Sequence, residues 1–187
     1  MLGTRGVRLG VVKPGLYAMQ VRVLMQAADE VAAEGYEPVV EVMIPLTVTR
    51  EELALARSWV EAVLVEYATR PKVKVAGRAK KVTRPKVTIG TMIETPRAAL
   101  RANEIAQHSA FLSFGTNDLT QMTYGLSRDD AGRFMSRYVQ KQVFLEDPFH
   151  VLDTDGVGEL LQLGAERARK AHPDVTISIC GEHGGNP

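Results

Sequence analysis

Val87-Thr88-Ile89-Gly90-Thr91-Met92-Ile93-Glu94-Thr95-Pro96 is a mostly apolar, β-branched run that stops at a carboxylate and passes straight into Thr-Pro. A short apolar run with little alternation suits a strand buried on both faces. Thr95 followed by Pro96 reads as a helix N-cap with proline at the first helical position, where its missing N–H costs nothing. A strand that turns at once into a helix is the unit from which parallel α/β sheets are built. Side chains at the carboxyl ends of such strands converge on one face, which places Glu94 on a functional rim.

Two more stretches deliver chemistry to the same rim. Phe111-Leu112-Ser113-Phe114-Gly115-Thr116-Asn117-Asp118 ends in a second acid. Ile177-Ser178-Ile179-Cys180-Gly181-Glu182-His183-Gly184-Gly185 brings the chain's one cysteine, Cys180, to the junction of a strand and a glycine-rich turn. Two acids and a thiol on one rim make an active-site layout.

The alternation extends outward from these runs. Val7–Val12 reads as a short strand, closed by Lys13-Pro14-Gly15. Leu16, Met19, Val23, Ala27 and Val31 recur at helical spacing, and Gly35 supplies a stop. Val39–Leu46 is a β-branched strand candidate; Thr49 and Glu52 form a capping box for a helix reaching about Tyr67. Asp155 precedes a helix carrying Val157, Leu160, Leu161 and Ala168, and Val175–Cys180 is the last strand. This succession of about five strands suits a (β/α)8 barrel better than an open sheet, yet such barrels take roughly 250 residues. With 187 residues, ending Gly-Gly-Asn-Pro just after the thiol turn, the expectation is one incomplete barrel domain over 1–187.

Two segments interrupt the pattern. Arg70–Lys86 is rich in lysine and arginine, has no acid and no aromatic, and contains Pro71, Gly77 and Pro85. It reads as a basic insertion forming a solvated loop or hairpin rather than a nucleic-acid patch, which would offer rings to stack on bases. Thr116–Pro148 is a long connection with a short helix near Ala131–Gln140; long loops in compact domains are usually functional or disordered, and its position after Asp118 favours function.

Composition limits the remaining options. An apolar fraction of 45% and a charged fraction of 24% are ordinary for a globular domain and exclude wholesale disorder. A net charge of +1 gives no bulk attraction to nucleic acid or acidic lipid. No apolar run nears the roughly 20 residues needed to span a bilayer, and the N-terminus lacks the apolar core of a signal peptide. One cysteine cannot form an intramolecular disulfide. The expectation is a soluble, cytoplasmic protein with no nucleic-acid or membrane partner.

Taken together, Gly3-Thr4-Arg5-Gly6-Val7-Arg8-Leu9, Gly90–Ala98, Ser113–Gln121, Ser127-Arg128-Asp129-Asp130-Ala131-Gly132 and Cys180–Gly185 resemble the phosphoenolpyruvate-binding domain of the pyruvate phosphate dikinase family. Phosphoenolpyruvate synthase and enzyme I of the sugar phosphotransferase system share the first, second and third of the rim motifs. The resemblance covers nearly the whole chain and keeps the family's motif order. It implies a TIM-like (β/α)8 barrel of the phosphoenolpyruvate-utilising C-terminal type, here without its first and last strands. It implies the reversible conversion of ATP, pyruvate and phosphate to AMP, phosphoenolpyruvate and diphosphate, with Mg²⁺ as cofactor. It also implies partners: an ATP-binding domain, a domain carrying a phosphohistidine, and a second copy in a homodimer when the protein is complete. His108, His150, His172 and His183 do not sit in a phosphohistidine-like segment, and the family usually has histidine where this chain has Thr4 and Pro-Glu where it has Pro14-Gly15.

The residues have their own chemistry beside that resemblance. Glu94 and Asp118 suit Mg²⁺, a hard cation that takes oxygen ligands and keeps places for water and substrate; by pattern alone Glu94 equally reads as a helix-start acid and Asp118 as a turn residue. The resemblance selects metal and substrate binding for both. It makes Arg5 a phosphoryl clamp, a role its forked donors fit, while Arg8, three places on along an expected strand, faces away. It puts Gly115, Thr116 and Asn117 around the substrate, and makes Cys180 the proton donor and acceptor at the methyl carbon of pyruvate. A lone cysteine otherwise reads as a small buried hydrophobe. Cys180 and His183 form a Cys-x-x-His pair, but zinc takes three or four protein ligands and no second pair is present. A non-catalytic remnant or binding module, and a Mg²⁺-dependent lyase, are the competing functions.

Overall fold

Four parallel strands lie side by side in sequence order: β1 (Val40–Ile44), β2 (Val87–Ile93), β3 (Phe111–Gly115) and β4 (Thr176–Cys180). They belong to a computed structural model that describes residues 2–69 and 85–186. Thr91 is the register mark at the centre, opposite Ile44 on one side and Leu112 on the other. At the far side Gly115 pairs with Cys180. All four carboxyl ends therefore emerge along one edge of the sheet.

Helices make the crossovers. The Thr49–Glu52 capping box forms as its sequence predicts: Glu52 N–H donates to Thr49 Oγ1 at 3.2 Å, and Thr49 N–H to Glu52 Oε2 at 3.0 Å. It opens α3 (Arg50–Thr69). Thr95 caps α4 (Pro96–Leu100), its hydroxyl accepting from Ala98 N–H, and α5 (Ala102–Ala106) leads into β3. The return to β4 runs along α9 (Val157–Ala171), whose N-cap is Gly156; Asp153 Oδ2 accepts from the N–H groups of Gly156 and Val157 at 3.2 and 3.1 Å. The core lies between sheet and helices, with Ile93, Leu112 and Phe114 from the strands meeting Leu53, Val60, Ile105 and Val157.

Three expectations change. Val7–Val12 is a helix, α1, so the described residues hold four strands and not about five. A six-residue apolar run cannot be told from a helix by periodicity; here Val7 N–H docks on the carbonyl of Pro45. The opposite-face argument for Arg8 falls with the strand, because Arg8 lies within α1 whereas Arg5 precedes its N-cap, Gly6. Helix α2 (Leu16–Ala33) exists, but it buries Val21, Met25, Ala28 and Ala32 and leaves Met19, Val23 and Val31 exposed. It carries two apolar stripes, and the choice between them is made by contact with α3. Finally, the 116–148 connection is mostly helical: α6 (Thr116–Tyr124), α7 (Arg128–Ala131) and α8 (Met135–Gln140). Residues 70–84 of the expected basic insertion lie outside the described residues. Among the described residues no helix is long and apolar enough to cross a membrane.

Candidate active site

Each strand contributes to the rim in turn. β1 leads into Pro45-Leu46, where Leu46 has φ 57° and its N–H donates to Glu94 Oε1 at 2.6 Å. β2 ends one residue before Glu94. β3 ends at Gly115, and the absence of a side chain there is a spatial requirement: a Cβ would lie 2.8 Å from Glu94 Oε2. α6 starts directly after it, so Asn117 and Asp118 sit in the first turn of a helix rather than in a loop. β4 ends at Cys180, and Gly181, with φ 100°, takes a backbone conformation that side chains disfavour.

These ends enclose a cavity of about 330 Å³ lined by Arg5, Glu94, Gly115, Asn117, Asp118 and Cys180, with Leu46, Met92 and Gly181 among its walls. Six of the seven residues singled out from the sequence thus face one space. A groove of about 470 Å³ between α2 and the edge of β1 is larger, but of the acids only Glu41 reaches it and the thiol does not.

The seventh, Thr116, is fully buried. Its hydroxyl donates to the carbonyl of Cys180 at 3.0 Å and meets His183 Nδ1 at 2.8 Å, so its side chain is turned beneath the rim and not into the cavity. His183 does not pair with Cys180 as a Cys-x-x-His ligand set. Its other nitrogen, Nε2, lies 3.0 Å from the carbonyl of Pro148.

The electrostatics of the cavity centre on Glu94. Burial, with 4% of the residue exposed, and the nearby charge and hydrogen bond of Asp118 push its carboxyl up to about 7; the Leu46 N–H and the Arg5 guanidinium pull the other way without prevailing. Two facing carboxyls of which one resists ionisation form a site that a cation relieves. Their donor set fits Mg²⁺, which commonly takes one or two carboxylates and completes its shell with water and substrate oxygens. Among the described residues no cluster of three or more His, Cys, Asp or Glu side chains gathers, so a site dependent on protein ligands alone is not offered.

Sequence reading missed three participants. Leu46 acts through its backbone and carries no compositional signal. Gln121 Nε2 donates to Asp118 Oδ1 at 3.1 Å, and its Oε1 accepts from Arg128 N–H at 2.7 Å, which fixes the amide's orientation. That pair is an i,i+3 relation, visible in sequence only once residues 116–124 are known to be helical. Arg128 also pairs with Glu182, linking α7 to the thiol turn.

Similarity to known proteins follows the same residues. The family model "PEP-utilising enzyme, PEP-binding domain" matches residues 1–187. The chain is 48% identical over 187 residues to pyruvate, phosphate dikinase 2 of Oryza sativa subsp. japonica, covering all of this chain and 20% of that protein. Against the pyruvate, phosphate dikinase of Clostridium symbiosum it is 46% identical over 188 residues, again covering 20% of the relative. The chloroplastic pyruvate, phosphate dikinase 1 of Arabidopsis thaliana is 46% identical over 187 residues, 18% of its length. The chain spans about a fifth of the length of these relatives.

Proposed function

The chain belongs to the family of PEP-utilising enzyme PEP-binding domains, and from that premise we propose that it is the pyruvate- and phosphoenolpyruvate-binding part of a pyruvate phosphate dikinase. One observation carries the reading: a guanidinium, two carboxyls, an amide side chain and a thiol line a single cavity at the carboxyl ends of parallel strands. Whole-protein turnover then needs an ATP-binding domain and a phosphohistidine domain, supplied by the longer protein. The four strands, in unreversed order, form part of an eight-stranded barrel and the chain is one incomplete domain, active as a homodimer when complete. The protein works in the cytoplasm.

Each residue has a task in that reaction. Glu94 and Asp118 would hold Mg²⁺, which when bound would supply positive charge where the enolate's negative charge develops. Asn117 and the N–H groups of the first turn of α6, which have no partner within the helix, orient the carboxylate and carbonyl of pyruvate. Gly115 leaves room for that approach. Cys180, as thiolate, takes a proton from the methyl carbon; the electron pair moves into the C–C bond and negative charge collects on the carbonyl oxygen. That oxygen forms its bond to phosphorus as the bond from phosphorus to the carrier histidine breaks. Arg5 presents its fork to the transferring phosphoryl oxygens. In the reverse direction the thiol returns the proton to carbon.

Calorimetric titration tests the assignment. Mn²⁺ is expected to bind the chain and to strengthen binding of oxalate, an enolate mimic, and Asp118→Ala is expected to abolish both. Equal binding by the variant overturns the assignment.

A further inference from the structure

His183 is buried and both its ring nitrogens are engaged, Nδ1 with Thr116 Oγ1 at 2.8 Å and Nε2 with the carbonyl of Pro148 at 3.0 Å. A carbonyl oxygen only accepts, so Nε2 carries a proton. Thr116 has one hydroxyl proton, and two acceptors compete for it: the Cys180 carbonyl at 3.0 Å and Nδ1 of a neutral ring. The hydroxyl donates to one of them at a time and stays within hydrogen-bond reach of both, so it is the point of contact between the ring and the backbone of the thiol residue. Gly181 permits that closeness, since a Cβ there would lie 2.7 Å from Thr116 Oγ1.

A second link to the same turn is weaker. The Arg128–Glu182 pair leaves its side chains 38% and 47% exposed, and exposed ion pairs contribute little. Buried hydrogen bonds are costly to lose, so of these two links the Thr116–His183 joint is the stronger. It spans 67 positions of sequence and ties the thiol turn to the start of α6, two residues from Asp118.

We propose that Thr116 and His183 are positioning residues for Cys180: the imidazole, anchored on Pro148, holds the Thr116 hydroxyl against the Cys180 carbonyl and so sets the thiol on the scaffold that carries Asp118. This rests on the reading of Cys180 as the proton carrier. His183 is then neither an alternative proton donor nor a metal ligand, because its nitrogens point away from the cavity into these two bonds.

Cys180 is the chain's one cysteine, so alkylation by iodoacetamide reports on it alone. Thr116→Val and His183→Ala are expected to alkylate about fivefold faster than wild type or more, the factor carried by loss of a buried hydrogen bond. Thr116→Ser, which keeps the hydroxyl, is expected within about twofold of wild type, with circular dichroism showing each variant folded. Thr116→Val at the wild-type rate, or Thr116→Ser as fast as Thr116→Val, overturns the proposal. If His183→Ala does not fold, the two Thr116 variants decide alone. Mg²⁺ with oxalate is expected to slow alkylation of wild type by covering the thiol; failure there overturns the functional reading, while the unliganded rates still decide the positioning role.

Discussion

The N–H of Leu46 donates to Glu94 Oε1 at 2.6 Å from a left-handed backbone, φ 57°, that leucine rarely adopts. The bond holds one carboxylate oxygen while the other stays near Gly115 and the cavity. A strained residue beside a buried acid is the kind of local cost that persists where surrounding packing fixes it.

That geometry predicts an inverted substitution order at position 46. Leu46 is 1% exposed, and removing such a side chain costs about 3 kcal/mol through lost burial and cavity formation. Alanine keeps the strained φ, whereas glycine is relieved of about 1 kcal/mol or more. Leu46→Gly is therefore expected to be less destabilising than Leu46→Ala in urea denaturation, the reverse of the usual ranking. Alanine as the milder change would contradict the backbone assignment.

Gln121 orients Asp118 through its amide and does not itself line the cavity. Outer partners of metal-binding side chains commonly affect affinity by about 10–100-fold. Gln121→Leu is expected to weaken Mn²⁺ binding by about tenfold with the fold retained. Titration calorimetry giving wild-type affinity would remove Gln121 from the site.

Glu94 makes metal-free stability depend on pH. Its folded carboxyl titrates at about 7, against 4.5 ordinarily. Between these values the folded state binds more protons than the unfolded one, so this contribution is full below 4.5 and is lost as pH rises through about 7. Glu94→Gln removes the titration. In EDTA the variant is expected to gain on wild type in melting temperature between about pH 5 and about pH 8, and Mg²⁺ at the higher pH should restore wild type alone. A gap between the two proteins that does not vary with pH would show that Glu94 is not held in this way.

Cys180 and the carboxylates act on different atoms, so their losses should separate. In D₂O with Mg²⁺, Cys180→Ala and Cys180→Ser are expected to slow deuterium entry into the methyl group of pyruvate by about 100-fold, with Mn²⁺ affinity unchanged. Both variants exchanging at the parent rate while folded would make the thiol a packing residue.

Much of the site was legible in the sequence. Strands that stop just before Glu94 and at Gly115 and Cys180 announce their ends by polar or glycine residues after apolar runs, and parallel geometry brings such ends together. Less legible were elements whose local pattern admits two answers. The run at Val7–Val12 is too short for its period to distinguish strand from helix, and α2 offers two apolar stripes of which only one meets a partner.

By itself, then, the sequence determined the parallel α/β arrangement and the delivery of Glu94, Asp118 and Cys180 to one rim, because periodicity, caps and strand-ending residues are local properties of the chain. Arg5, Gly115, Thr116 and Asn117 were marked only by the family resemblance. Only the tertiary structure decided where those side chains point. Thr116 turns inward because the Cys180 carbonyl and the His183 ring, 64 and 67 positions later, both lie within hydrogen-bond reach of its hydroxyl. Glu94 resists ionisation because folding removes it from water and sets Asp118 beside it. Direction and desolvation arise from contacts between distant segments, and no local pattern encodes them.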